Sequence, residues 1–290
     1  MSKINLHVHS NFSDGRLSPE QIVKKAKKEK VIFLSLTDHD SIGGVERFLT
    51  ACRGKNIACL PGVEISTEYK NKEFHILGYN VDVKNKPFCE ILEKQRRVRR
   101  KRARKMMDKF EKLGFEINKK TAKKILKNES VGKPHIRDLI LSSKENIKKL
   151  KIEYDFNSKT DDFIGLFINK PRQAGYVRKK KIPTKQAILA IKNAGGISVL
   201  AHPGAEFENE KEFEETAKNF ISWGLGGIEI FYPYSEELNG KKIKFYSEFS
   251  KKHGLIATAG SDFHSEGNLR DVKIPKKEEN LIIKNLTPSR

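Results

Sequence analysis

Two rhythms of apolar and polar positions divide this chain. Short apolar runs recur at residues 4–8, 31–36, 57–60, 73–79, 197–201, 227–231 and 255–259. Each has the length of a buried strand. Amphipathic stretches separate them. Ser18-Pro19-Glu20-Gln21 opens the first, with Ser as the cap, Pro at the first helical position and Gln closing a capping box. Further helices are predicted near 44–55, 208–223 and 236–253, and one from Pro183-Thr184 through Ala194 stops at Gly195-Gly196. The order is βαβαββ, then βα units again after an interruption. That alternation predicts an α/β class built on a largely parallel sheet, and no internal repeat is visible.

The interruption is helical and basic. Residues 88–113 read as one long helix, with Ile91, Leu92, Val98, Met106, Phe110 and Leu113 at helical spacing. Two more helices are predicted near 119–127 and 136–141, and loops with short helices over 143–175. The expected organisation is a discontinuous α/β body of 1–83 and 183–275, an inserted mostly helical subdomain of 84–182, and a charged tail of 276–290 lying over the surface. The formal charge is +21. Between Lys94 and Arg137 stand 18 Lys or Arg against four acids, a net +14. Such a concentration suits a polyanionic partner, a phosphorylated small molecule or a nucleic acid. Solvated lysine faces account for part of it, but less well for the cluster Arg96, Arg97, Arg99, Arg100, Arg102 and Arg104.

At 290 residues and 37% hydrophobic, the chain can bury a sizeable core. No apolar run approaches the roughly 18 residues of a membrane span. The first residues enter a strand directly, with no leader pattern. Cys52, Cys59 and Cys89 form no CxxC pair, so reduced thiols and a cytoplasmic location are expected.

Candidate chemistry gathers at strand ends. His7 and His9 are separated by one residue, so on a strand they share a face while Leu6 and Val8 pack the other way. Alone, that pattern is equally that of two bland strand histidines. However, His39, His75, His202 and His264 also fall at the carboxyl ends of predicted strands, with Asp14, Glu64 and Asp262 in equivalent places. In a barrel of parallel strands those ends converge on one face. Six histidines and three carboxylates exceed the needs of one ion and suggest two or three metals sharing a bridging carboxylate.

The segments HVHSNFSDG, LTDHD, GVEIS, FHILGY, AHPG and GSDFH together resemble the polymerase-and-histidinol-phosphatase (PHP) family of metal-dependent phosphoesterases, across nearly the whole chain. The resemblance implies a distorted (β/α)7 barrel and a trinuclear site, usually of manganese, with iron or zinc as alternatives. It implies one metal on His7, His9, Glu64 and Asp262, and a second on Glu64, His75 and His202. A third would take Asp14, His39 and His264. Glu64, Asp262 and His202 are then the catalytic candidates, and hydrolysis proceeds by attack of a metal-bridging hydroxide on phosphorus. No nucleophilic Cys or Ser motif is visible.

Asp14, where several relatives carry histidine, together with the insertion and Lys133-Pro134-His135-Ile136-Arg137, is similar to the branch of nucleoside 3′,5′-bisphosphate phosphatases and 5′-to-3′ exoribonucleases. Relatives often read GRPH where this chain has Gly132-Lys133-Pro134-His135; Lys keeps the charge but loses the bidentate fork. Candidates for binding a second phosphate are His135, Lys133, Tyr176, and Arg97 with Arg100, one helical turn apart. Asp38 and Asp40 read as orienting or helix-capping groups beside His39. Glu229 is either near the site or a satisfied barrel-interior carboxylate. The expected activity is removal of the 3′-phosphate from a nucleoside 3′,5′-bisphosphate, such as adenosine 3′,5′-bisphosphate. The alternative is exonuclease action on short 5′-phosphorylated RNA, with histidinol phosphatase activity a weaker third. A nucleic-acid-binding module on a decayed barrel is the reading of a different class, and all nine expected ligands being present argues against it. No membrane association or obligate protein partner is expected.

Overall fold

The structure, a computed structural model, describes residues 3–234, 236–265 and 267–287. In chain order its first elements are β1 (Ile4–Asn5), α1 (Pro19–Lys28), β2 (Phe33–Leu36), α2 (Val45–Cys52), β3 (Ala58–Tyr69) and β4 (Lys72–Tyr79). Five helices follow: α3 (Lys86–Lys112), α4 (Lys119–Ile125), α5 (Lys133–Leu141), α6 (Lys144–Tyr154) and α7 (Phe163–Phe167). Then come β5 (Ile182–Pro183), α8 (Thr184–Asn193), β6 (Ile197–Leu200), α9 (Pro203–Glu206) and α10 (Glu210–Ser222). The chain ends with β7 (Gly227–Phe231), α11 (Glu236–Lys252), β8 (Ile256–Ala259) and α12 (Lys276–Leu286). Two compact units result, one of Met1–Glu93 with Lys181–Arg290, the other of Lys94–Lys180.

In the first unit seven strands pair in the order β1-β2-β3-β4-β6-β7-β8, and the short β5 pairs with β3. The ring closes just beyond the ends of β1 and β8. Leu6 N donates to Ala259 O at 2.9 Å, His9 N to Phe263 O at 2.8 Å and Phe263 N to His7 O at 3.1 Å, and Val8 bridges Phe263 in parallel. This is a distorted (β/α)7 barrel. The distortion is β4, antiparallel to both β3 and β6, whereas the other barrel pairs are parallel. His75 therefore lies near the start of its strand, not at a carboxyl end. The reversal brings it opposite Ser66, at the same barrel end as the other ligand candidates.

Local sequence explains most of the elements. Ser18 Oγ accepts from Gln21 N and Gln21 Oε1 accepts from Ser18 N, closing the capping box that starts α1. β3 runs on through Pro61 and Gly62, which sequence reading takes as its end. Proline forfeits only an N–H, and the Pro61 carbonyl still accepts from Asn80 N. Wholly buried Tyr79 braces the barrel by donating its hydroxyl to the Leu6 carbonyl at 3.0 Å. The second unit has its own core, where Phe110 and Phe167 each stack on Phe163, with Ile136, Leu139 and Leu150 around them.

Two expectations fail. Cys52 and Cys59 are joined in a disulfide, and Cys89 alone is free. The tight connection from α2 to β3 brings their Cα atoms to 6.5 Å, a proximity that a separation of seven in sequence does not advertise. The tail is not a surface loop either: 276–286 form α12, whose Ile282 and Leu286 are 1% exposed in the main core. Lysines and glutamates hide that spacing, because only one narrow stripe of the helix is apolar. Among the described residues no helix is long and apolar enough to cross a membrane. Leu286→Ala should cost about 2–4 kcal/mol of unfolding free energy in urea titrations; a loss below about 0.5 kcal/mol would show that α12 adds nothing to the core.

Candidate metal centre

Glu64 sits wholly buried in the middle of β3, and imidazoles converge on it from the neighbouring strands. His39 Nδ1 lies 2.7 Å from its Oε2 and His75 Nδ1 2.9 Å from its Oε1. His202 Nε2 and His7 Nε2 lie 3.3 and 3.4 Å from Oε1, and His9 Nε2 3.3 Å from Oε2. Asp262 Oδ1 stands 3.0 Å from His9 Nε2 and 3.4 Å from His7 Nε2. Asp14 completes the far side, 3.4 Å from His264 Nε2 and 3.8 Å from His39 Nε2. The His264 ring stacks on His9 with centroids 4.3 Å apart.

The fold holds this crowd with local strain and close packing. His202 and Asp262 adopt positive φ, +28° and +53°, where a side chain costs about 1–3 kcal/mol. At Gly260 a Cβ would stand 2.2 Å from His7 Cβ and 2.4 Å from a Glu229 oxygen, so only glycine fits there. Glu229 is buried in the barrel beside the site. Its carboxylate lies 3.1 and 3.2 Å from His7 Nδ1, and it accepts from His202 N at 2.8 Å. Asp38 accepts from Ser10 N, Ser10 Oγ and Ser13 Oγ, fixing the loop that carries Asp14. Asp40 accepts from Ser66 N.

These groups are close without satisfying one another. His7 Nε2, His9 Nε2, His39 Nδ1, His75 Nδ1, Asp14 Oδ1 and Glu64 Oε2 are buried and have no hydrogen-bond partner among the described residues. Ligand atoms about 2.0–2.2 Å from one ion lie about 3–3.5 Å from each other, which is the spacing seen here. Among the described residues four groups offer ligand atoms that all lie within 4.8 Å of one another: His7, His9, Glu64 and Asp262; His39, Glu64 and His75; His9, Asp14, His39 and His264; and His75, His202 and Glu206. The donor set of imidazoles and carboxylates fits divalent metal ions.

The carboxylates of the cluster favour positive charge at its centre, whether carried by a proton or by an ion. Burial pulls His9 down to about 3, aided by His264 and His39, which leaves its lone pair free for an ion. Burial opposes charge on Glu64, but His39, His75 and His7 outweigh it and hold the carboxyl well below its ordinary range. Burial likewise opposes charge on His75, which Glu64 and Glu73 overcome, raising it to about 10. Asp38, by contrast, is pushed up to about 6 by burial, despite the hydrogen bonds from Ser10 and Ser13.

Comparison with known proteins agrees with this geometry. The profile of the PHP domain matches residues 5–183. The chain belongs to the PHP domain family. Among its curated relatives is a 5′-3′ exoribonuclease of Haemophilus influenzae, 29% identical over 90% of both chains. A 3′,5′-nucleoside bisphosphate phosphatase of Chromobacterium violaceum is also 29% identical, over 92% of this chain and 89% of that one. A solved Chromobacterium violaceum structure described as an amidohydrolase with bound sulfate aligns with TM-score 0.74 at 27% identity, covering 97% of each chain. A Bifidobacterium adolescentis chain, described as an inferred metal-dependent phosphoesterase, shares the fold at TM-score 0.79 and 23% identity, covering 98% of this chain and 96% of that one. This PHP domain is a hydrolase of phosphate esters.

The nine ligand candidates are thus brought together in the first unit. The candidates for phosphate binding lie in the second. Lys133 Nζ donates to Asn169 Oδ1 at 2.7 Å, and His135 Nδ1 accepts from Gly132 N at 3.0 Å, closing the first turn of α5. Arg97 is exposed, Arg100 half-buried, and the half-buried Tyr176 accepts from Lys109 Nζ through its carbonyl. Helical spacing did not single out Arg99 and Lys179, which are the buried cations of this unit. Three residues of the first unit also escaped sequence reading. Glu206 Oε1 lies 3.3 Å from His202 Nδ1 and Glu73 Oε1 3.6 Å from His75 Nε2. The Tyr232 ring packs 5.6 Å from that of His202, and burial together with the Asp262 and Glu229 carboxylates keeps its phenol protonated. An i,i+4 acid after His202 was the one legible signal among them.

A divalent ion at about 100 times its Kd stabilises a protein by about 2.7 kcal/mol per site. Mn2+ should therefore raise the Tm of the wild-type chain by about 5 °C or more, and Glu64→Ala should remove most of that shift. An equal shift in the variant would mean that the ion binds elsewhere.

Proposed function

We propose that this PHP phosphoesterase removes the 3′-phosphate from nucleoside 3′,5′-bisphosphates, with Mn2+ as its ion. The convergence of buried imidazole and carboxylate donors on Glu64 is the observation that carries the reading. The Chromobacterium violaceum relative, matched over nearly its whole length, supports the substrate class. His7, His9, His39, His75, His202, His264, Asp14, Asp262 and Glu64 would hold two or three ions. Bound there, such ions supply an activated water and polarise the phosphoryl group. The protein's part is to fix the donors: Asp262 and Glu64 stay ionised, while Glu229 holds the His7 ring. The protonated Tyr232 beside His202 offers an O–H to a phosphoryl oxygen.

A second reading, 5′-to-3′ hydrolysis of short 5′-phosphorylated RNA, is favoured by a separate observation. The unit Lys94–Lys180 carries 28 Lys or Arg against 10 Asp or Glu, a net +18 of the chain's +21. A polymer offers such a unit many phosphates, and its binding weakens steeply with salt. The Haemophilus influenzae relative supports this substrate.

The test offers Mn2+-loaded protein adenosine 3′,5′-bisphosphate or a 5′-phosphorylated RNA tetramer at two salt concentrations, with His202→Ala as control. The expected outcome is rapid phosphate release from the bisphosphate, reduced about 100-fold or more by His202→Ala, as for loss of a group that stabilises the transition state. Stepwise, salt-sensitive release of mononucleotides from the tetramer would establish the second reading instead. If both substrates survive with metal bound, neither holds.

A further inference from the structure

We propose that Glu206 is a positioning residue that sets how tightly the ions at His202 are held. The proposal rests on the reading of the cluster as a metal centre and names a residue that the nine-ligand set leaves out.

His202 presents opposite edges of its ring to two carboxylates. Nε2 faces Glu64 Oε1 at 3.3 Å, toward the centre, and Nδ1 faces Glu206 Oε1 at 3.3 Å, on the outer side. One imidazole cannot offer both nitrogens to the same ion. The Glu206 carboxylate makes no hydrogen bond to Nδ1 as the ring stands, but its negative charge beside that nitrogen favours the proton there and leaves Nε2 to face inward. Glu206 also falls within 4.8 Å of donor atoms of His75 and His202, so its distance alone would allow direct ligation. Its place behind the ring, opposite Glu64, argues for positioning.

The turn bearing Glu206 is itself built to stay put. α9 places the acid four residues after His202, on the same side of one helical turn. Ala205 N donates to His202 O at 2.9 Å and Phe207 N to Pro203 O at 3.1 Å. Tyr234 Oη accepts from Gly204 N at 3.3 Å, and Lys242 Nζ donates to Gly204 O. Lys242 also lies 5.3 Å from the centroid of the Tyr234 ring. A Cβ at Gly204 would stand 2.5 Å from the Tyr234 ring, so the turn lies flush on it. With Glu229 accepting from His202 N at 2.8 Å, the histidine is clamped through its backbone on one side and its ring on the other. His7 has the equivalent carboxylate in Glu229 and His75 in Glu73. The three dyads form one outer ring around Glu64.

The test titrates Mn2+ into metal-free wild type, Glu206→Ala, Glu206→Gln and Tyr234→Phe, counting free ion by its electron paramagnetic resonance signal. Thermal melts of the metal-free proteins run alongside. Wild type should bind two or three equivalents. Glu206→Ala should weaken one of them about 10–100-fold while the rest titrate as in wild type and the melt of the metal-free protein stays within a few degrees. Glu206→Gln, whose amide oxygen can accept from Nδ1–H, should recover most of that affinity, and Tyr234→Phe should show a smaller loss at the same equivalent. Unchanged binding in Glu206→Ala would overturn the proposal. So would a glutamine variant as weak as alanine, which would make the carboxylate a ligand in its own right. If Glu206→Ala fails to fold, Glu206→Gln and Tyr234→Phe decide by the same criteria. Wild type that takes up no ion would instead overturn the metal reading beneath it.

Discussion

A carboxylate buried without a cation is among the most costly arrangements a protein core can contain. Glu64 is wholly buried, and the structure around it is arranged to meet that demand. Five imidazoles reach its two oxygens, from segments that follow β1, β2 and β6 and from β4 itself. Each of those segments is placed by the barrel, and the barrel in turn needs the reversed β4 to bring His75 to the right end. The distortion of the ring and the geometry of the centre are therefore one constraint seen at two scales. A regular parallel barrel would have put His75 near the opposite rim.

The same demand explains the unusual backbone. Positive φ at His202 and Asp262, and a glycine at 260 where His7 and Glu229 leave no room for a side chain, are unfavourable choices in isolation. They persist because the surrounding hydrogen bonds over-determine them, as in the clamp of Glu229 on both His7 and the His202 amide. Strain of this kind concentrates where function requires it.

Strand ends and their polar residues were legible in the sequence because both obey short local rules: a period of two, a cap, a glycine stop. His7 and His9 declare a shared face by spacing alone. What stayed hidden depends on three-dimensional proximity. Apart from the i,i+4 spacing of Glu206 after His202, nothing local distinguishes Glu206, Glu73 or Tyr232 from other polar residues, and only the fold places them beside a histidine. Cys52 and Cys59 meet for the same reason. α12 was hidden differently, since its two core residues are diluted by charge. In the long basic helix, spacing could group the arginines but not choose a face, and burial falls on Arg99, not on Arg97 or Arg100.

Ring closure between Val8 and Phe263 also has a consequence in time. The two residues that join the barrel stand between or beside the ligand candidates His7, His9, Asp262 and His264, yet they are 255 positions apart in the chain. During synthesis the early histidines emerge first, and the segment that closes the ring over them follows only after β8 has been made. The cluster is thus completed in the same act that completes the fold, and a chain cut short before β8 keeps His7, His9, His39, His75 and His202 but lacks Asp262, His264 and the strand that closes the ring.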